Sequence, residues 1–408
     1  MPSKNYQPPQ EILDKYADVL VNFALDGGKG IKAGDVVEVT ASECSKPLYF
    51  AVRRKVTAAG GHFIGVYTPD DDHQFNFSKD FYEHATAEQL KFYSEPYYAG
   101  LAETVDHRIS IIGDADPHSL KGVDTQKMML RGVALKPFSD LLRAKESAGK
   151  FSWTLGLYGT EGSSKEAGMS LEEYWEQIIN ACYLAESDPV AKWRKTFDEI
   201  NAYRDKLNAL PISKLHIGGE DVDLYVKIGE QRKWDGGDGA NIPSFEIFTS
   251  PDWRGTEGWI RFNQPLYRYG TMITGIELHF EKGRVVKASA KENEEALLAM
   301  ISTPNADKIG EFSLTDSRHS RITKFMAETL YDENVGGRYG NTHIAVGQSY
   351  HCCYTGDETE NSEADWKSLG FNDSSVHTDI VSTTNRVVTA HMTDGSEKVI
   401  YSDGQFQI

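Results

Sequence analysis

The chain has 408 residues, 39% of them hydrophobic and 25% charged, with a formal net charge of −18. That length exceeds what one hydrophobic core usually serves, so two domains are expected. So acidic a chain is a poor partner for nucleic acid or an anionic membrane, and no stretch approaches the ~18 apolar residues of a membrane span.

The N-terminus, MPSKNYQPPQ, lacks the apolar core of a signal peptide. In EILDKYADVLVNFAL, Ile12, Leu13, Tyr16, Leu20, Val21 and Phe23 recur at helical spacing, and the run stops at Gly27 and Gly28. DVVEVTAS reads as a buried strand, Pro47 to Ala59 as a helix closed by Gly60 and Gly61, and HFIGVYT as a second strand. Helix and strand alternating at this pitch predict an α/β layer with a mostly parallel sheet. The turn after the first strand, SECSKP, has no GxGxxG, and no GxxxxGKS occurs, so no nucleotide site is signalled. The acidic turn from Pro69 to His73 lacks the ligand spacing of an EF-hand and reads as a surface loop.

RISIIGDADP predicts another strand, VDTQKMMLRGVALKPFSDLLRAK a helix bent or broken at Pro137, and FSWTLGLYGT a strand whose end, around Tyr158 and Thr160, faces a cleft. MSLEEYWEQIINACYLAE is the clearest helix: Ser170 and Glu173 form a capping box, and Trp175, Ile178, Ile179, Cys182 and Tyr183 one apolar face. A second helix follows with Pro189 in its first turn. Beyond Leu210-Pro211 the texture changes to hairpins. HIGGEDVDLYVKI, GWIRFNQPL, GIELHFEKGRVVKASA and RVVTAHMTDGSEKVIYSDGQF read as strand pairs, with DG or KG turns. The expected division is an N-terminal α/β domain, residues 1–210, and a C-terminal β-rich α+β domain, residues 211–408.

The candidate chemistry lies in the second half. Glu246, Glu311, Glu333, His343, His377 and Asp379 sit on segments too apolar to be loops. Carboxylates and imidazoles without a thiolate suit borderline divalent ions such as Zn, Co and Mn, and favour a hydrolytic site over a structural one. In HTDIV, His377 and Asp379 at i and i+2 of a strand aim at one place while Thr378 turns away. In NTHIAVGQSY the same alternation puts Ala345 and Gly347 beside His343, small enough for an ion and a substrate to approach. Tyr350 needs a turn or bulge to reach the same pocket. His216, His279 and His391 have no partners at ligand spacing and read as structural, and the four cysteines, Cys44, Cys182, Cys352 and Cys353, read as reduced thiols of a cytoplasmic protein.

The ordered set LDKYADVLVNFAL, MSLEEYWEQIINACYLAESDPVAKW, NIPSFEIFTSPD, GRVVKASA, IGEFSL, DEN, HIAVG and VHTD resembles the M29 family of metallopeptidases, the family of aminopeptidases T and S, over almost the whole chain. The resemblance implies a co-catalytic pair of divalent metal ions, held by Glu246, Glu311, Glu333, His343, His377 and Asp379. It further implies Glu311 as the carboxylate bridging both ions, Tyr350 near the catalytic centre, a homodimer, and a peptide substrate with a free N-terminus. Departures mark a divergent subgroup: VGGRYGNT lengthens the interval from Glu333 to His343, Phe245 stands where many members carry a second Glu, and HTDIVST replaces HxDFMIG.

On this reading Glu311 is the general base, Tyr350 stabilises the oxyanion, and the ions supply a water of lowered pKa and hold the α-amine. One alternative is a mononuclear iron ring-cleaving dioxygenase using His343, His377 and Asp379, which leaves three carboxylates without a purpose. Another is a different metal-dependent amide hydrolase, or a binding protein that keeps the metal set.

Overall fold

The computed structural model describes residues 6–70, 75–268 and 271–408. Asp71, Asp72 and His73 of the acidic turn lie outside the described residues; Asp70 accepts the Cys44 backbone N–H at 2.7 Å. The chain forms two compact units, Met1–Arg194 with Asp238–Ile242, and Lys195–Gly237 with Pro243–Ile408. The division falls inside the helix Pro189–Asn208, upstream of Leu210.

The first unit holds β1 (Val36–Ser42), β2 (His62–Thr68), β3 (His107–Ile112) and β4 (Ser152–Leu157). They form a parallel sheet in the order β2-β1-β3-β4, extended by the two-residue strand Asn241–Ile242. In such sheets ligands bind where the strand order reverses, here between β1 and β3. That place is laced shut: the Ser42 hydroxyl and the Cys44 thiol both donate to the Gly113 carbonyl. Helix Gln10–Asn22 packs close to β4 because Gly156 has no side chain. A Cβ there would lie 3.1 Å from the Tyr16 hydroxyl, which accepts the Leu157 N–H at 2.8 Å.

Helix Leu171–Ala181 carries both bonds of the Ser170–Glu173 capping box and buries Trp175 and Ile178. Tyr158 and Thr160, expected at a cleft, serve structure here. Tyr158 packs edge-on against Trp175, and Thr160 caps the helix Glu161–Glu166. The helix Thr125–Ser147 runs through Pro137 unbroken. Pro137 and Val133, four residues earlier, are both exposed, so the carbonyl displaced by the ring can turn to water. Helix Lys46–Ala58 forms where Pro47 to Ala59 is expected, and three further helices, Phe77–His84, Ala87–Leu90 and Glu95–Thr104, form where the sequence carries no clear period.

In the second unit the strands, numbered on in chain order with Asn241–Ile242 as β7, are β5 (Ile212–Gly219), β6 (Val222–Lys227), β8 (Glu246–Thr249), β9 (Glu257–Arg261), β10 (Leu266–Arg268), β11 (Thr271–Ile273), β12 (Glu277–Glu281), β13 (Arg284–Ser289), β14 (Ile309–Thr315), β15 (Asn341–Gly347), β16 (His377–Ser382), β17 (Arg386–Met392), β18 (Glu397–Ser402) and β19 (Gln405–Phe406). Eight form one antiparallel sheet, β13-β12-β9-β6-β5-β17-β18-β19, and four another, β16-β15-β14-β8. The KG hairpin forms β12–β13 with Lys282 and Gly283 both at positive φ, as a type I′ turn requires. GWIRFNQPL is not a pair. Its first half, β9, joins β6 and β12, and its second, β10, pairs with β11. No described helix is long and apolar enough to cross a membrane.

Arg386 ties the two sheets together. Wholly buried on β17, it pairs with Asp221 at 3.3 Å and donates to the Thr342 hydroxyl on β15 at 2.8 Å. Tyr401 of β18 adds a second tie, donating to the Thr315 carbonyl of β14 at 2.9 Å.

Candidate metal centre

The four-stranded sheet is what assembles the site. Its register sets Asp379, Ala345 and Glu311 in one row across β16, β15 and β14, and sets His343 beside Ser313 in the next. His377 lies opposite Gly347, and Glu246 opens β8 across from Thr315. Because alternate residues share a face, one side of this sheet carries Glu246, Glu311, His343, His377 and Asp379. The methyl of Ala345 leaves space between the carboxylates of Glu311 and Asp379. A register shift between Ile309 and Glu311 swings the second of these inward, and Gly310 permits it: a Cβ there would meet the Gln348 carbonyl oxygen at 2.2 Å.

The donors fall into two trios that share Glu311. Glu246, Glu311 and His343 make one, and Glu311, His377 and Asp379 the other, with ligand atoms inside each within 4.8 Å of one another. His343 Nε2 lies 3.2 Å from Glu246 Oε2 and 3.3 Å from Glu311 Oε1. His377 Nε2 lies 3.6 Å from the other Glu311 oxygen, Oε2, and 3.4 Å from Asp379 Oδ1. Glu311 therefore sends one oxygen to each histidine. Glu333, buried and next to the short helix Thr329–Asp332, belongs to neither trio; its Oε1 accepts from the Asn334 amide at 3.3 Å. A recess of about 10 Å³ walled by Pro265, Leu266, Tyr267 and Val381 reaches Glu333 and Asp379, enough for one water.

The electrostatics follow from crowding acids away from water. Burial, with the carboxylates of Glu246 and Asp379, pushes Glu311 up to about 7 although His343 works the other way. Burial and the same two acids hold Glu333 well above the usual carboxylate range. Burial lowers the affinity of His377 for a proton, but Asp379 and Glu311 outweigh it and raise the ring to about 9. His343 is likewise raised, its bonds to Glu246 and Glu311 exceeding the cost of burial. Burial works to raise Asp379, but His377, with His343 and Arg268, outweighs it and moves the carboxyl down. Four acids packed around two imidazoles form a site short of positive charge, and carboxylate with imidazole is the donor chemistry that divalent cations take. The residues present thus fit a divalent metal.

Tyr350 reaches this face through a turn. Gly347, at φ +103°, ends β15, and the chain doubles back so that the Tyr350 ring centroid lies 4.6 Å from that of His377. Its backbone N–H donates to the Ser250 hydroxyl at 2.8 Å. Although the residue is 41% exposed, partial desolvation, then the carboxylates of Glu311, Asp379, Glu333 and Glu246, raise the phenol, so it stays a neutral donor at pH 7. His216, His279 and His391 stand apart, each against one carboxylate, Asp223, Glu277 and Glu397, at 2.8, 2.8 and 2.9 Å. All four cysteines are free.

Several supporting side chains escaped the sequence reading. The Ser313 hydroxyl donates to Glu246 Oε2 at 2.9 Å, and Asn341 Oδ1 lies 3.3 Å from His343 Nδ1. Both sit two residues from a candidate donor on the same strand, so the alternation used forwards from His343 finds Asn341 when run backwards. Asn334, which accepts the Phe245 N–H at 2.7 Å, left no such signal.

Comparison with known proteins converges on one family. A family model described as thermophilic metalloprotease (M29) matches residues 9–406. Aminopeptidase PepS of Streptococcus thermophilus is 25% identical over 426 residues, covering 98% of both chains. Aminopeptidase T of Thermus thermophilus is 30% identical over 306 residues, 69% of this chain and 72% of its own. The solved structure titled wild-type AmpT from Thermus thermophilus shares the fold, with TM-score 0.81 at 24% identity over 98% of this chain and 100% of that one. The chain belongs to the M29 family of metalloproteases.

Proposed function

We propose that the protein is a metal-dependent aminopeptidase with two divalent cations, one held by Glu246, Glu311 and His343 and the other by Glu311, His377 and Asp379. The observation that carries this reading is Glu311, whose two oxygens face different histidines. All six acids and histidines lie in the second unit, which is proposed as the catalytic domain. The aminopeptidase names of the relatives favour this over the ring-cleaving alternative. Zn, Co and Mn all suit the donors.

A divalent cation bound here supplies Lewis-acid polarisation of a carbonyl and a water of lowered pKa. The protein supplies the rest. Acids crowded on one sheet face attract the cationic α-amine of a peptide, which an internal peptide bond lacks. Glu311 accepts the proton given up by the attacking water, and the Tyr350 hydroxyl donates to the oxyanion that forms at the scissile carbonyl. Glu333 faces the same acids without belonging to either trio and is the carboxylate to test beside Glu311.

Purified protein analysed for metals and assayed on a panel of amino-acid anilides tests the reading. Two Zn, Co or Mn per chain with anilide cleavage is expected. One iron with oxygen uptake, or metal without turnover, defeats it. A homodimer acting on peptides in the cytoplasm is also proposed, the dimer to be read by light scattering.

The proton inventory gives a further expectation. Without metal, Glu311 titrates at about 7 and His377 at about 9. Cation binding needs both deprotonated, so metal uptake releases protons and apparent affinity rises from pH 6 to pH 9. The stability of the metal-free protein runs the opposite way. Groups raised on folding stabilise below their unfolded pKa and lose that contribution as pH rises through the folded value. The metal-free protein should therefore lose stability between about pH 4.5 and 9, and the rise in Tm on adding zinc should widen. Melting curves at pH 6, 7 and 8 with and without zinc check this; a constant gap contradicts it.

A further inference from the structure

The segment between Glu333 and His343 is bracketed by two wholly buried asparagines, Asn334 and Asn341. Their amides are fully committed. Asn341 Nδ2 donates to the carbonyls of Glu333 at 2.6 Å and Val335 at 3.1 Å. Those two acceptors decide which end of the amide is nitrogen, so the end facing His343 Nδ1 at 3.3 Å is the carbonyl oxygen. An oxygen there can only accept, so Nδ1 must carry hydrogen. When the ring gives up its second proton, as a ligand must, the lone pair is then on Nε2, the atom 3.2 Å from Glu246 and 3.3 Å from Glu311. Asn334 works from the other end: its Oδ1 holds the backbone N–H of Phe245, next to Glu246, while its Nδ2 reaches Glu333 Oε1.

His377 is oriented differently. Its Nδ1 donates to the Gln348 backbone carbonyl at 2.8 Å, a partner that no substitution removes. In the other trio the equivalent task falls to a side chain.

We propose that Asn341 is a positioning residue for metal binding: anchored by the backbone of this segment, it fixes His343 with Nε2 facing Glu246 and Glu311. The segment is thereby made part of the site. This rests on the ligand assignment above, and the test separates the two. Zinc affinity is measured by chelator competition for wild type, His343→Ala and Asn341→Ala, with melting curves on metal-free and zinc-loaded samples. His343→Ala is expected to lose tight binding of at least one equivalent, and Asn341→Ala to bind about 10–100-fold more weakly, the loss typical when a ligand's hydrogen-bonding partner is removed.

A residue that merely glues the loop would lower both melting temperatures equally. A positioning residue also shrinks the gap between them. If Asn341→Ala melts lower yet keeps wild-type zinc affinity, the proposal falls while the ligand assignment stands. If wild type and His343→Ala bind zinc alike, the ligand assignment itself falls and takes the proposal with it. Should Asn341→Ala fail to fold, zinc-loaded wild type with ¹⁵N-labelled histidine decides: His343 protonated on Nδ1 supports the proposal, and protonated on Nε2 overturns it.

Discussion

Glu311→Gln is expected to lower kcat on an amino-acid anilide by about 10²–10⁴-fold, the range contributed by a positioned acid or base. The amide keeps the shape of the carboxylate but loses its charge, and one of its ends becomes an NH₂ that faces a histidine instead of an oxygen. Since Glu311 is common to both trios, both are altered by one substitution. Stability moves the other way. A carboxylate buried beside Glu246 and Asp379 is costly once ionised, which is why it is pushed up to about 7. Removing it should leave the metal-free protein at least as stable at pH 8, as is usual when a group placed for function is replaced. Loss of turnover therefore cannot be put down to unfolding. Metal content of the same sample separates the two roles. Turnover lost with metal retained marks Glu311 as the proton acceptor, turnover lost with metal marks it as a ligand, and undiminished turnover with metal present removes it from both. In that last case Glu333→Gln is the next variant.

How the site is legible in sequence depends on the range of the contacts that build it. The alternation in HTDIV and NTHIAVG is a property of a single strand, and it correctly grouped His377 with Asp379 and His343 with Ala345 and Gly347 on one face. Local signals served the scaffold equally well: the Ser170–Glu173 capping box and the Lys282-Gly283 turn involve residues three or fewer apart. Strand neighbours are another matter. β14 lies between β8 and β15, strands some sixty and thirty positions away from it, and nothing in IGEFSL says so. GWIRFNQPL reads as a strand pair because its halves are adjacent in sequence, whereas the pairing of β9 with β6 and β12 is settled by the rest of the sheet. The family resemblance supplied what local patterns lacked, the expectation that Glu246 and Glu311 meet the histidines. It did not reach the asparagines, whose role depends on which carbonyls their amides find.

Gly347→Ala should be the most damaging conservative change near the site. Two costs combine. Gly347 has φ +103°, a conformation that residues with a Cβ rarely adopt, and a Cβ built on it would lie 1.9 Å from the Val376 carbonyl oxygen. Neither can relax cheaply, because that carbonyl accepts the Gln348 N–H at 2.6 Å and Gly347 is the register partner of His377. The expected loss is about 3–5 kcal/mol. Gly395, in a surface turn at φ +85° with nothing within 4 Å of its notional Cβ, isolates the first cost, so Gly395→Ala should lose only ~1–2 kcal/mol. Denaturant unfolding of the two variants gives the difference, which is the contribution of the close approach. The damage should also be directional. Displacing Val376 moves His377 and the turn that carries Tyr350, whereas His343 sits four residues back along β15 and Glu246 lies on β8, beyond β14. Gly347→Ala refolded with metal should then weaken one binding step more than the other in a zinc titration. Equal weakening of both steps would mean that the sheet yields as a unit, and that Gly347 is required by the fold alone.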